Sequence, residues 1–117
     1  MPPADYINTI EIDGVTVVSV QVESLMGMQD VNMLAGELDS LLAGGIKKLV
    51  IDLQKVRFCG SAALGVLMST WKRIDQSGGT LVLAQTQNIN PLLKVVRSQA
   101  IFKTAPDLKE AVRMLQR

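Results

Sequence analysis

The chain has 117 residues, of which 48% are hydrophobic and only 3% are aromatic, and it contains no histidine. This length is typical of one domain, so we expect residues 1–117 to fold as a single domain around a core of aliphatic side chains. The lack of histidine excludes Ser/His and Cys/His catalysis and the common histidine-containing metal sites. The acidic residues are scattered singly and no Gly-rich phosphate loop is present, so we expect no enzyme, no cofactor and no metal site.

The sequence also bears on where the protein works. No run approaches the roughly 20 apolar residues of a membrane span, and the segment that starts at Met1 lacks the basic and apolar regions of a secretion signal. The single cysteine, Cys59, cannot form a disulfide within the chain, which fits a reducing compartment. We therefore expect a cytoplasmic protein. The scarce aromatics and the near-neutral net charge argue against a nucleic acid partner.

The charged residues are distributed unevenly along the chain. All twelve lysines and arginines lie at or after Lys47, so residues 1–46 carry a net charge of −7 and residues 47–117 carry +8. If the two parts of the chain occupy different sides of the molecule, its surface has an acidic and a basic side that would steer charged partners. If the two parts interleave in one fold, the charges only keep the surface solvated. Both interpretations stay open at this point.

The first predicted elements are two strands and a helix. Apolar patterning predicts strands at Ile7–Ile12 and Val15–Val20, and the Asp13-Gly14 pair between them is typical of a two-residue hairpin turn. Apolar residues at helical spacing then predict a helix with Asp30 as its N-cap, which Gly44-Gly45 would end. Its inward-facing residues would be Val31, Leu34, Leu38, Leu41 and Leu42.

The rest of the chain alternates between strands and helices. The predicted elements, in order, are a buried strand at Leu49–Leu53, a helix from about Ser61 to Gly78-Gly79, a strand at Thr80–Ala84, a short helix at Asn88–Ser98, a strand at Ile101–Phe102 and a helix at Asp107–Gln116. The full order is therefore β-β-α-β-α-β-α-β-α. Strands that alternate with helices favour parallel pairing with right-handed crossovers. We predict an α/β domain with a mixed, mostly parallel sheet of about five strands and about four helices.

The segment around Ser61 carries most of the functional information. Ser61 follows a strand and a short polar loop and stands at or near the start of the second helix, among the small residues Gly60, Ala62, Ala63 and Gly65. The first N–H groups of a helix lack partners within the helix and lie at the positive end of its dipole, which suits a phosphate on this serine. Small neighbours would let a partner protein come close. The alternative is that the serine is an ordinary N-cap residue.

The sequence resembles the STAS family of anti-anti-sigma factors over nearly its whole length. Ile51-Asp52-Leu53, followed by Phe58-Cys59-Gly60-Ser61-Ala62-Ala63-Leu64-Gly65, is similar to the family pattern of strand-D-L, then F-x-D-S-[ST]-G-L-G and an apolar helix. The segment 78–84 resembles the family's next strand, and the segment 90–103 resembles its third helix and the strand after it. The resemblance therefore implies a STAS-like domain.

Three positions depart from the family pattern. The aspartate usual before the serine is Gly60, and the hydroxyl residue and the glycine usual after it are Ala62 and Ala63. In the loop before the first helix, Leu25-Met26 stands where the family often has Leu-Asp. Two acidic residues that would help the encounter with a kinase are therefore absent.

The resemblance implies an anti-sigma factor antagonist. Such a protein binds an anti-sigma factor that is also a serine kinase, dissociates when the kinase phosphorylates it, and is reset by a phosphatase, so that it regulates transcription by partner switching. By position, Ser61 matches the family's phosphoacceptor. The expected partner-binding residues are Met26, Gly27, Met28, Cys59, Gly60, Ser61, Ala62, Leu64 and Gly65. The alternative is a non-phosphorylated STAS interaction module in a signalling assembly or a transporter complex, and a homodimer stays open.

Several residues near the implied phosphoacceptor admit two interpretations. Cys59 is either a thiolate activated by the helix start or a small residue packed in the interior. Met26 and Met28 either offer an adaptable apolar contact to a partner or pack at the edge of the core. Lys55 and Arg57 either brace a phosphate or lie solvated in their loop.

Overall fold

The computed structural model describes residues 6–95 and 101–116. The strands in these ranges are β1 (Ile7–Ile12), β2 (Val15–Val20), β3 (Ser24–Leu25), β4 (Lys48–Asp52), β5 (Phe58–Cys59), β6 (Thr80–Ala84) and β7 (Lys103–Ala105). The helices are α1 (Met28–Leu42), α2 (Ser61–Gln76), α3 (Asn90–Val95) and α4 (Leu108–Leu115). Apart from the short strands β3 and β5, the element order is the predicted one.

The main sheet has five strands in the order β1-β2-β4-β6-β7. Strands β1 and β2 pair antiparallel along their full length, and all other neighbours in this sheet pair parallel. Asp13 and Gly14 form the turn between β1 and β2 with φ angles of 51° and 82°, as the two left-handed positions of a tight hairpin turn require. The predicted α/β class, mixed sheet and hairpin are therefore confirmed.

Helices cover both faces of the main sheet. On one face, α1, α2 and α3 pack against the strands through an aliphatic stripe. The fully buried leucines that these helices contribute are Leu34, Leu38, Leu64, Leu67 and Leu93. On the other face, α4 packs on β4, β6 and β7. Within the described ranges, no helix is both long enough and apolar enough to cross a membrane.

The start of α1 differs from the prediction. The helix begins at Met28 with Gly27 as its N-cap, so Asp30 lies in the first turn and is not the cap. The carboxylate is still favourable there because it lies at the positive end of the helix dipole. It also accepts a hydrogen bond of 2.7 Å from the Tyr6 hydroxyl, which ties the entry to β1 to the start of α1.

The C-terminal elements need two corrections. The last strand is Lys103–Ala105, whereas Ile101 lies in a turn and Phe102 is buried just before the strand. The apolar pair therefore marks where the chain enters the core, but the backbone pairs with β6 only after it. Helix α3 begins at Asn90, and residues 96–98 of the predicted helix lie outside the described residues.

The strand order bears on both interpretations of the charge pattern. Residues 6–46 form β1, β2 and α1 at one end of the main sheet, together with β3, which pairs with β5, and β4, β6, β7 and the other helices follow from residue 47 on. The acidic and basic parts of the sequence are thus also largely separate parts of the molecule. The two parts meet at the ion pairs of Arg73 with Asp39 and of Arg57 with Glu23, and through the pairing of β3 with β5. The β1 edge is therefore acidic, whereas acidic and basic side chains lie together where the two parts meet.

Candidate partner-binding site

The short strands β3 and β5 bring together the loops that precede α1 and α2. They pair in parallel, with Leu25 opposite Cys59, and the N–H groups of Arg57 and Phe58 both donate to the carbonyl of Glu23, at 2.8 and 3.1 Å. Two-residue strands are too short for a periodic pattern, so the sequence does not predict them. Their pairing places residues 26–28 beside the start of α2, as the resemblance implies.

Helix α2 starts at Ser61, and Gly60 is its N-cap with extended backbone angles of φ −92° and ψ 171°. The Gly60 carbonyl accepts the first helical hydrogen bond, from the N–H of Leu64 at 3.2 Å. A glycine has no side chain to bond the earlier N–H groups, so those of Ser61, Ala62 and Ala63 have no partner within the helix. The first turn contains no acidic residue. The N-cap interpretation of the serine is therefore wrong, and the positive end of the helix is open.

The Ser61 side chain does not contribute to the packing or hydrogen bonding of the described residues. It is exposed, and among the described residues its hydroxyl takes part in no hydrogen bond. Ala62 and Gly65 are also exposed, whereas Ala63 and Leu64 are 0% and 2% exposed and face the sheet. The expectation that Leu64 binds a partner is therefore wrong, because its side chain belongs to the core.

Three exposed apolar side chains lie near this helix start, on the residue after β3, at the first position of α1 and in β5. Met26, Met28 and Phe58 are 61%, 65% and 57% exposed, and we call them the apolar rim. The Met26 sulfur lies 3.5 Å from where a Cβ on Gly60 would stand, so Met26 covers this glycine. Clustered exposed apolar side chains are typical of protein contact surfaces, and methionines adapt their shape to a partner. The structure thus favours the partner-contact interpretation of the two methionines and adds Phe58, which sequence reasoning missed.

The two basic residues of the loop before α2, Lys55 and Arg57, contact side chains other than that of Ser61. The Arg57 guanidinium lies 3.6 Å from the Glu23 carboxylate, and the Lys55 ammonium donates to the Gln21 side-chain oxygen at 2.9 Å. Neither of these contacts involves Ser61. An exposed ion pair contributes only about 0–1 kcal/mol, so it does not lock Arg57 in place. The structure favours the solvated-loop interpretation for both residues.

Cys59 is half-buried behind the helix start. Burial raises the pKa of its thiol, so the neutral form is favoured over the reactive thiolate at the pH of a cell. The sulfur lies 3.6 Å from the carbonyl oxygen of Gly60. The structure therefore favours the interpretation of Cys59 as a small packing residue over an activated nucleophile.

Comparisons with known proteins agree with this architecture. The sequence matches the STAS domain family over residues 6–111, and no curated protein sequence matches it. A STAS-domain anti-sigma-factor antagonist from Planctomyces limnophilus superposes with a TM-score of 0.85 at 23% identity, over 97% of this chain and 99% of that one. An anti-sigma factor antagonist from Mycobacterium paratuberculosis gives 0.78 at 27% identity, over 100% of both chains.

A third solved structure extends the likeness at lower identity. The anti-sigma factor antagonist SpoIIAA in its unphosphorylated form superposes with a TM-score of 0.72 at 12% identity, over 94% of this chain and 97% of that one. The family match covers nearly the whole chain, and the fold agrees in sheet and helices. The chain therefore belongs to the STAS domain family.

Proposed function

We propose that this protein is an anti-sigma factor antagonist that binds an anti-sigma factor serine kinase and is released by phosphorylation of Ser61. The observation that carries the proposal is the exposed hydroxyl of this serine, which the fold does not use, at the open positive end of α2 and beside the apolar rim. The likeness to an antagonist at 27% identity over both whole chains supports it.

The site suits a switch driven by charge. In the unphosphorylated form, the apolar rim and the small residues Ala62 and Gly65 offer a low, uncharged surface that a partner can cover. Transfer of the γ-phosphoryl group from ATP to the Ser61 oxygen, with release of ADP, adds about −1.5 to −2 charges there. The open N–H groups of the helix start stabilise the phosphate in the free protein. Covering the same phosphate with an apolar partner surface is unfavourable, so the complex dissociates.

The residues beside the serine also specify the chemistry of the partner. In the family pattern, acidic residues stand at the positions of Met26 and Gly60, and here these two positions touch, with the Met26 side chain over the glycine. An apolar contact has thus replaced a pair of acidic groups in one place. We infer that the partner meets this part of the site with an apolar surface and not with a cationic one.

The proposed role has further consequences for the protein's setting. Chemistry takes place in the kinase and in the phosphatase that resets the switch, so the protein itself acts as a substrate and binding module and not as an enzyme. Because sigma factors act on transcription, the proposed role also places the protein in the cytoplasm. It needs no cofactor of its own.

The experiment compares three variants in pull-downs from the protein's own cells. Ser61→Asp places a charge in the proposed interface and should weaken binding of the kinase by about 2 kcal/mol or more, roughly 30-fold in Kd. Ser69→Asp adds the same charge to an exposed position two turns further along α2 and should leave binding unchanged. Ser61→Ala should retain the kinase, and mass spectrometry should find a phosphate on the wild type that this variant lacks.

The outcomes separate the proposal from its alternative. If Ser61→Asp keeps the same partner at the same affinity and the recovered protein carries no phosphate, the protein is a non-phosphorylated interaction module. If Ser69→Asp weakens binding as much as Ser61→Asp, the partner covers another part of α2. Either result would overturn the assignment of Ser61 as the switch.

A further inference from the structure

The two edges of the main sheet differ in how they are protected. Proteins usually blunt exposed edge strands with short length, lysine or proline, because the unpaired backbone groups attract other strands. Strand β7 follows this rule, since it has three residues, contains Lys103 and is followed by Pro106. Strand β1 does not, since its six residues include one charged side chain, Glu11, and neither lysine nor proline. Its four central residues are exposed.

The register of the hairpin identifies the free backbone groups of β1. The N–H of Gln21 donates to the carbonyl of Tyr6 at 2.8 Å, and hydrogen-bonded pairs alternate along an antiparallel ladder. Every second residue of β1 therefore turns its N–H and C=O away from β2. These residues are Ile7, Thr9 and Glu11. Within the described ranges, no other element takes up their outward groups.

A groove runs beside this edge, between β1 and α1. Its volume is about 660 Å³, and on the helix side it is lined by residues that include Met33, Gly36, Glu37 and Ser40. Gly36 lies inside α1, and a Cβ built on it would meet no atom within 4 Å. Glycine is a poor helix former, and no contact in the fold requires one here. Its effect is to keep the helix surface low next to the free edge, where a further strand would pass.

The acidic residues of the groove indicate what kind of molecule could bind there. Glu37 lines the groove and Glu11 lies on the strand, and residues 6–46, which form this side of the molecule, contain no lysine or arginine. A second copy of the chain that paired β1 with β1 would bring the same acidic surface of α1 against itself. An extended segment that carries lysine or arginine would instead be attracted.

We propose that the β1 edge binds an extended, cationic segment of a partner protein as a sixth strand of the sheet. The backbone of that segment would pair with the outward groups of Ile7, Thr9 and Glu11. Its basic side chains, on the face of the sheet that carries α1, would pass over Gly36 and face Glu11 and Glu37, and its apolar side chains, on the opposite face, would lie beside the exposed side chain of Ile10. This interaction uses no residue of the Ser61 site, so it holds whether or not that site is phosphorylated.

The probe is an acetylated and amidated peptide of about six residues in which valine alternates with lysine. Titrated to about 1 mM, it should slow amide hydrogen exchange at Ile7, Thr9 and Glu11, as followed by NMR. Exchange at Asn8 and Ile10, whose amides already bond to β2, should not change. A peptide with glutamate for lysine tests the charge, and one with N-methyl groups at alternate residues tests the backbone pairing.

Variants of the protein complete the test. Gly36→Leu fills the groove and should weaken binding of the lysine peptide about tenfold or more, with circular dichroism to verify that α1 remains folded. Glu11→Lys should weaken the lysine peptide and strengthen the glutamate peptide. Ser61→Asp should change neither affinity.

Three results would overturn the proposal. The first is absence of added protection at the outward amides of β1 with the lysine peptide at the highest concentration. The second is equal binding of the lysine, glutamate and N-methylated peptides, because neither charge nor backbone pairing would then matter. The third is a dimer in sedimentation that Gly36→Leu disrupts, which would make a second copy of the chain the occupant.

Discussion

Replacement of Gly79 by alanine should destabilise the protein, because the junction between α2 and β6 has no room for a Cβ. A Cβ built there would overlap the carbonyl oxygen of Lys47, and it would lie 2.9 Å from the Cα of the same residue and 3.0 Å from Cγ2 of Ile74. The Lys47 carbonyl cannot withdraw freely, because it accepts a hydrogen bond of 2.7 Å from the N–H of Thr80. That bond stands where β4 and β6 begin to pair.

Three contributions set the size of the effect. Forcing a methyl group against packed backbone costs about 1–3 kcal/mol, and stretching the hydrogen bond between Thr80 and Lys47 costs about 1 kcal/mol. Alanine restricts the unfolded chain more than glycine does, which offsets about 0.4–1 kcal/mol. The net expectation for Gly79→Ala is a loss of about 1–3.6 kcal/mol in the free energy of unfolding. For a chain of this size, that lowers Tm by about 3–18 °C.

The assay is urea unfolding, followed by circular dichroism and by the fluorescence of the single tryptophan, Trp71, which is half-buried. Gly36→Ala is the matched control, since it is the same substitution at a helix position with open space around it. It should stabilise the protein by about 0.5–1 kcal/mol. A Gly79→Ala variant as stable as the wild type, or two variants that shift stability in the same direction, would refute the steric argument.

The remaining predictions test the helix cap, the thiol and the surface of α2. Asp107→Ala should cost about 1 kcal/mol, because the Asp107 carboxylate accepts from the N–H of Glu110 at 2.8 Å; urea unfolding measures this, with the exposed Asp75→Ala in the last turn of α2 as a control that should not destabilise. Burial raises the pKa of Cys59, so its reaction with a disulfide reagent should be slow at neutral pH and should still rise with pH where an unfolded control has levelled off. Gly65→Ala should stabilise the protein by about 0.5–1 kcal/mol yet weaken partner binding in a pull-down.

Local signals in the sequence predict most of the fold. The Asp13-Gly14 pair predicts the hairpin because few other pairs adopt two left-handed conformations, and both Gly-Gly pairs end helices as expected. The glycines of these pairs nevertheless have different structural roles. Gly45 and Gly78 have φ angles of 81° and 85°, whereas Gly79 is needed for space. Only the folded structure distinguishes these two roles, because the lack of room at Gly79 is caused by the backbone of Lys47, which is far away in sequence.

The candidate site is predicted less completely, for physical reasons. The strand-loop-helix pattern locates Ser61 near a helix start. A difference of one residue in that start decides whether Ser61 caps the helix or follows the cap, and helix propensity does not define the start to within one residue. The burial of Leu64 follows from the inward stripe of α2. The exposure of Phe58 does not follow from any local pattern, because it depends on the pairing of β3 with β5. Contacts between distant short segments leave no periodic trace in the sequence.

The residues of α2 fall into two groups, those that the fold needs and those that it does not. The buried side chains of the helix hold it on the sheet, and Gly60 accommodates Met26. Ser61 makes no hydrogen bond within the described residues, and the open space at Gly65 means that no packing requires a glycine there. A helix with alanine at both positions would be at least as stable. Folding does not account for these two residues, which agrees with the proposed partner surface, and on that proposal Ser61→Ala should change partner regulation while it leaves unfolding unchanged.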